Sequence, residues 1–114
     1  MGSSCTNFGR EVRALIANTP AMYREVISAT LRELRPGIEV FTAEPEDLER
    51  DFSRLLPQLV VCSNLTKRVE REAPVWIELY PDDASHAVVG SPDGSRTLLP
   101  GMNFDTLLAI LDGI

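Results

Sequence analysis

Cys62 and Arg68 are the residues of this chain whose spacing points most directly to covalent chemistry. They stand six positions apart, separated by Ser63-Asn64-Leu65-Thr66-Lys67, after an apolar run and at the entry to a helical pattern. A thiolate held by backbone N–H groups at a helix start, with an arginine clamping phosphate oxygens, is the apparatus of cysteine-dependent phosphatases. Asp82 or Asp83 would then serve as general acid. The five intervening residues contain no glycine, which such loops use to bring the backbone close to phosphate. The competing expectation for Cys62 is a buried structural cysteine. His86 is the only histidine and lies in a polar loop without Cys or His neighbours, so neither a metal site nor a catalytic triad is expected there. Asn18-Thr19-Pro20-Ala21 carries no glycine, which excludes a glycine-rich phosphate loop after the first strand.

The elements that must position these residues follow from hydrophobic spacing. Val12 to Ala17 reads as a buried strand ending at Asn18, after which Thr19 caps a helix with Pro20 at its first position. Met22, Val26 and Ala29, beside Tyr23, Ile27, Leu31 and Leu34, form the apolar face of that helix, and Pro36-Gly37 stops it. Ile38 to Ala43 is a second strand. Glu44-Pro45 opens a helix with Leu48, Phe52, Leu55 and Leu56 on its inner face, and Pro57 ends it. The acidic run Glu44, Glu46, Asp47, Glu49 and Asp51 lies at that helix start, where carboxylates complement the helix dipole. Leu59 to Cys62 is a third strand, followed by a helix capped by Ser63 or Asn64 that buries Leu65, Val69 and Ala73 before Pro74. Val75 to Leu79 is a fourth.

The rhythm then changes. Ala87 to Gly90 is too short and too β-branched for another helix, and Ser91-Pro92-Asp93-Gly94 is a turn sequence, so a hairpin is expected with Thr97 to Leu99 as its second arm and the last core strand. Asn103 caps a terminal helix that buries Phe104, Leu107, Leu108 and Leu111. Alternating strands and helices imply a small doubly wound, flavodoxin-like α/β domain with a parallel sheet and helices on both faces, its fourth helix replaced by a hairpin or loop. Residues 1–10 read as a flexible leader and 11–114 as one domain. Ligand sites in such sheets lie beyond the carboxyl ends of the strands, which directs attention to Asn18, Thr19, Cys62, Ser63, Asn64, Tyr80, Asp82, Asp83 and Pro100.

Composition bounds the partners. In 114 residues, 11 Lys and Arg face 17 Asp and Glu, a net charge of −6. That balance argues against a nucleic-acid partner, which requires clustered cations to displace counterions. No apolar stretch approaches the ~20 residues of a membrane span. Two cysteines, Cys5 and Cys62, match neither a disulfide framework nor a metal-site spacing, so a reducing, cytoplasmic compartment and no cofactor are expected.

From Val12 to Ile114 the order of elements resembles the receiver domain of bacterial response regulators. Ala14-Leu15-Ile16-Ala17 before Asn18-Thr19 and Arg24-Glu25 is similar to the receiver's first strand, acidic pair and first helix. Leu55-Leu56-Pro57-Gln58-Leu59-Val60-Val61 is similar to the approach to its phosphoacceptor, and Thr97-Leu98-Leu99-Pro100 ahead of Phe104 to Leu111 to its last strand and helix. The resemblance implies an acidic pair holding Mg²⁺, an acceptor aspartate, a hydroxyl after strand four and a lysine after strand five. Those positions fall here on Asn18 and Thr19, on Ser63 beside Cys62, on Leu79 or Tyr80, and on Pro100. None carries the charge the chemistry uses. The expected role is therefore a non-enzymatic, receiver-like signalling domain acting through protein partners. With a hairpin in place of the fourth helix, the sheet near Val75, Ile77 and Val88 is expected to be under-covered and to form a homodimer.

Overall fold

A computed structural model of the chain describes residues 12–79, 86–100 and 103–114. Six strands, β1 (Arg13–Ala17), β2 (Glu39–Thr42), β3 (Leu59–Cys62), β4 (Val75–Leu79), β5 (Ala87–Gly90) and β6 (Arg96–Leu99), form one sheet in the order β2-β1-β3-β4-β5-β6. Four helices accompany them among the described residues: α1 (Ala21–Leu34), α2 (Leu48–Leu55), α3 (Lys67–Glu72) and α4 (Phe104–Asp112). The leader expected over residues 1–10, and Tyr80, Asp82 and Asp83, lie outside the described residues.

β1 and β3 are apolar almost without interruption because each is covered on both faces. Their pairing in parallel register places Ala17 beside Cys62, so both chains leave the sheet together. Alternation along the strands sends Ala14, Ile16, Val61, Ile77 and Leu79 to one face, where Leu31 of α1 and Leu107 and Leu111 of α4 cover them. Leu15, Ala17, Val60, Cys62 and Trp76 go to the other, against Leu48, Phe52 and Leu55 of α2 and Val69 of α3. Burying each such side chain contributes about 1.5–3 kcal/mol.

The sheet is mixed and not wholly parallel. β5 runs antiparallel to β4 and to β6, and the short Ser91–Ser95 connection can join β5 to β6 only as antiparallel neighbours. Asp93 accepts at 2.8 Å from both the Ser91 hydroxyl and the Ser95 N–H. Hydrogen bonds from Ser95 and then Ser91 lower its carboxyl pKa to about 2. Gly94 follows with a φ of 93°, where only glycine is unstrained. The expected hairpin is thus present, but its second arm is an edge strand and not a core strand: Leu98 is 66% exposed.

α1 presents a different face from the one its apolar spacing indicates. Met22, Tyr23, Val26, Ala29 and Leu34 are exposed, while Arg24, Ser28 and Leu31 are buried and Ile27 half-buried. The buried seam is satisfied locally: Ser28 Oγ donates to the Arg24 carbonyl at 2.8 Å and Arg24 Nη2 reaches Glu44 Oε2 at 3.0 Å. Pro20, not Thr19, stands at the N-cap, with no side-chain cap bond. A 3₁₀ turn, Pro45–Asp47, precedes α2, and Leu56 ends that helix in the left-handed region at φ 49°, leaving its side chain exposed and not buried as expected. α3 is capped by Thr66, which accepts from Val69 N at 3.2 Å, and not by Ser63 or Asn64. Asn103 caps α4 as its sequence indicates, accepting from Thr106 N at 2.8 Å.

The region expected to be under-covered is closed. Ile77 is fully buried, and Val75 and Val88 are half-buried. Trp76, Gly90 and Arg96 stand opposite one another on three adjacent strands, and the Arg96 guanidinium lies 5.2 Å from the indole centroid. Arg96 also pairs with Glu70 of α3. A Cβ on Gly90 would overlap the Trp76 ring. Gly90→Ala is therefore expected to destabilise the fold by about 1–3 kcal/mol in urea denaturation, an over-packing cost that an unchanged midpoint would refute.

Candidate functional site

The carboxyl ends of β1 and β3 bring Asn18, Thr19 and Ser63 together. Thr19 N donates to Ser63 Oγ at 2.9 Å, and the hydroxyl donates back to the Thr19 carbonyl at 3.5 Å. The adjacency follows from the register of β1 on β3, so this part of the expected pocket is assembled. Every side chain in it is neutral.

A cation sits beside it. Arg24 in the first turns of α1 is 6% exposed, and its Nη1 lies 3.5 Å from the Asn18 carbonyl while Nη2 pairs with Glu44 just beyond β2. Burial of a guanidinium requires such acceptors, and here a backbone carbonyl and a carboxylate supply them. Hydrophobic spacing does not single out Arg24, because the apolar residues around it outnumber it. Its signal was the seam Arg24, Ser28 and Leu31 at helical spacing, together with a carboxylate where β2 ends.

Pro100 does not join this group. It is exposed and follows β6, which is separated from β3 by β4 and β5, so the position expected to supply the lysine leaves the sheet at its far edge. Tyr80, Asp82 and Asp83 fall outside the described residues. Among the described residues no group of three or more His, Cys, Asp or Glu side chains converges.

Cys62 and Arg68 do not form a phosphate clamp. The thiol is 1% exposed on the α2/α3 face of the sheet. Burial, with the nearby negative charge of Glu78, pushes its pKa up to about 12. At neutral pH that leaves a thiolate fraction on the order of 10⁻⁵. Arg68 turns along α2 and its own helix: it donates to Ser53 Oγ and to Glu72 Oε1, the latter at 3.3 Å, and stacks 5.6 Å from the Phe52 centroid. Glu78, which the sequence did not single out, accepts from Leu65 N at 3.0 Å and so pins the segment between β3 and α3.

On the opposite face, beneath Asn18 and Thr19, a cavity of about 340 Å³ opens between α1 and α4. Val61, Ile77 and Leu79 of β3 and β4 line it from the sheet side, Tyr23, Val26 and Ile27 from α1, and Phe104 and Leu107 from α4. Asn18, Thr19 and Asn103 supply its polar groups. Asn18 is 2% exposed, and its Oδ1 has no hydrogen-bond partner among the described residues.

No family model, curated protein or solved structure matches this chain. The geometry of the strand ends and of the cavity is therefore what any functional reading has to use.

The state of Cys62 is directly measurable. In a Cys5→Ser background the native protein at neutral pH is expected to react with iodoacetamide at least a hundredfold more slowly than the urea-unfolded chain, since burial removes both access and thiolate. Equal rates would show an exposed, ionised thiol.

Proposed function

We propose that this chain is a non-enzymatic, receiver-like signalling domain that acts by protein–protein contact. The observation that carries the reading is Arg24: a buried guanidinium faces the Asn18 carbonyl at the strand ends where phosphotransfer in the receiver family would assemble Mg²⁺ and carboxylates. Its one carboxylate partner among the described residues, Glu44, is already engaged by the guanidinium, and Asn18 and Thr19 offer a divalent ion no anionic oxygen. Among the described residues Ser63 has no base against it, and its hydroxyl is engaged with Thr19. The parallel order β2-β1-β3-β4 with helices on both faces supports a flavodoxin-like core, modified by the β5–β6 hairpin.

Free, buried Cys62 fits a reducing compartment, and no helix among the described residues is long and apolar enough to cross a membrane. Both support a cytoplasmic assignment. The surface for contact with other proteins, including a second copy of this chain, is α1, where Met22, Tyr23 and Val26 are 69%, 56% and 50% exposed. Apolar side chains clustered in this way on a helix favour association.

Incubation with acetyl phosphate and Mg²⁺ is expected to leave the intact mass unchanged. A stable gain of one phosphoryl group on Ser63 or a neighbouring aspartate would overturn the reading. Light scattering at micromolar concentration is expected to return a dimer mass that Val26→Glu reduces to a monomer, whereas a monomeric wild-type chain would remove the homodimer.

A further inference from the structure

α1 and α4 are held together at one end and stand apart at the other. Arg35, directly after α1, donates through Nε and Nη2 to both carboxylate oxygens of Asp112 at the end of α4, at 2.8 and 2.7 Å. At their N-terminal ends the cavity of about 340 Å³ separates the two helices, within the ~300–1,000 Å³ range of small-molecule sites.

Among the described residues, no charged side chain lines this cavity. A charged ligand would lose its hydration without gaining a counter-ion, which favours a neutral one. Tyr23 and Phe104 offer aromatic surface from opposite helices, suited to a ring. Asn103 Oδ1 caps α4 and Thr19 N donates to Ser63. Asn18 Oδ1 is a buried acceptor with no partner among the described residues. Such an atom bears its full desolvation penalty until a donor arrives. It is shielded from solvent, so a ligand reaches it only with a turn about χ2, a broad torsion in asparagine.

We propose that the cavity binds a neutral, ring-sized apolar molecule carrying an N–H or O–H group that donates to Asn18. The apolar lining supplies the binding surface, and the amide oxygen selects for the donor. This site shares Asn18 and Thr19 with the strand-end pocket and Tyr23 and Val26 with the proposed contact surface, but it requires no phosphoryl chemistry.

The test is a titration of the ¹⁵N-labelled full chain with indole and, in parallel, with N-methylindole, which keeps the ring and lacks the donor. Indole is expected to shift the Asn18 side-chain amide and the Tyr23 and Phe104 backbone resonances saturably, with a Kd on the order of 1 mM or tighter. N-methylindole is expected to bind about five- to tenfold more weakly. Asn18→Leu should bind the two compounds alike. Equal affinity of the wild-type protein for both, shifts centred away from the cavity, or no saturable shift would each overturn the proposal. If Asn18→Leu does not fold, the two wild-type titrations decide alone. Neither titration reads phosphoryl transfer, so this site and the receiver-like reading can fail separately.

Discussion

Two-sided burial of β1 and β3 is the constraint on which the rest of the molecule depends. Residues Ala14 to Ala17 and Leu59 to Cys62 are at most 1% exposed, so no polar group is available along either strand except the backbone, which the sheet pairs. Helices must therefore cover both faces, and side chains that do chemistry are pushed to the strand ends. That is why Asn18, Thr19 and Ser63 meet and why Cys62, one residue earlier, does not take part. Its side chain points into the α2/α3 layer, where loss of hydration keeps the thiol protonated.

The β5–β6 hairpin alters the other half of the sheet. β5 pairs antiparallel beside β4, and reversal at Ser91–Ser95 places β6 at the edge, carrying Pro100 away from β3. The same strand supplies the small residue that Trp76 requires. Gly90 lets the indole lie across β5, and Arg96 closes over it from β6. The sheet near Ile77 is covered by this packing on one side and by α4 on the other, while Met22, Tyr23, Val26 and Leu34 are exposed together on α1.

α1 shows where sequence patterning loses to tertiary context. Its apolar residues are distributed broadly enough that more than one face qualifies, and an arginine on a buried face counts against that face in any hydrophobicity pattern. Arg24 is accommodated because Glu44 and the Asn18 carbonyl happen to converge on it from two other segments, a coincidence of distant parts of the chain. Turning this seam inward leaves Tyr23 and Val26 toward the cavity and solvent. One rotation of a helix thus places a cation at the strand ends and opens an apolar cavity beneath them.

Local rules were sufficient for most elements. Leu59 to Cys62 and Val75 to Leu79 are strands with the bounds their apolar runs imply, the Pro92-Asp93-Gly94 turn forms a hairpin, and Asn103 caps the last helix, because each depends on neighbours within a few residues. The alternation of elements likewise implied an α/β layer structure. Only the tertiary structure decided strand direction beyond β4, which face α1 buries, whether Arg68 approaches Cys62, and that Asn18, with a buried amide oxygen unpaired among the described residues, lines a cavity. Each of these is set by contacts between segments distant in sequence, whose free energies exceed the local preferences read from spacing.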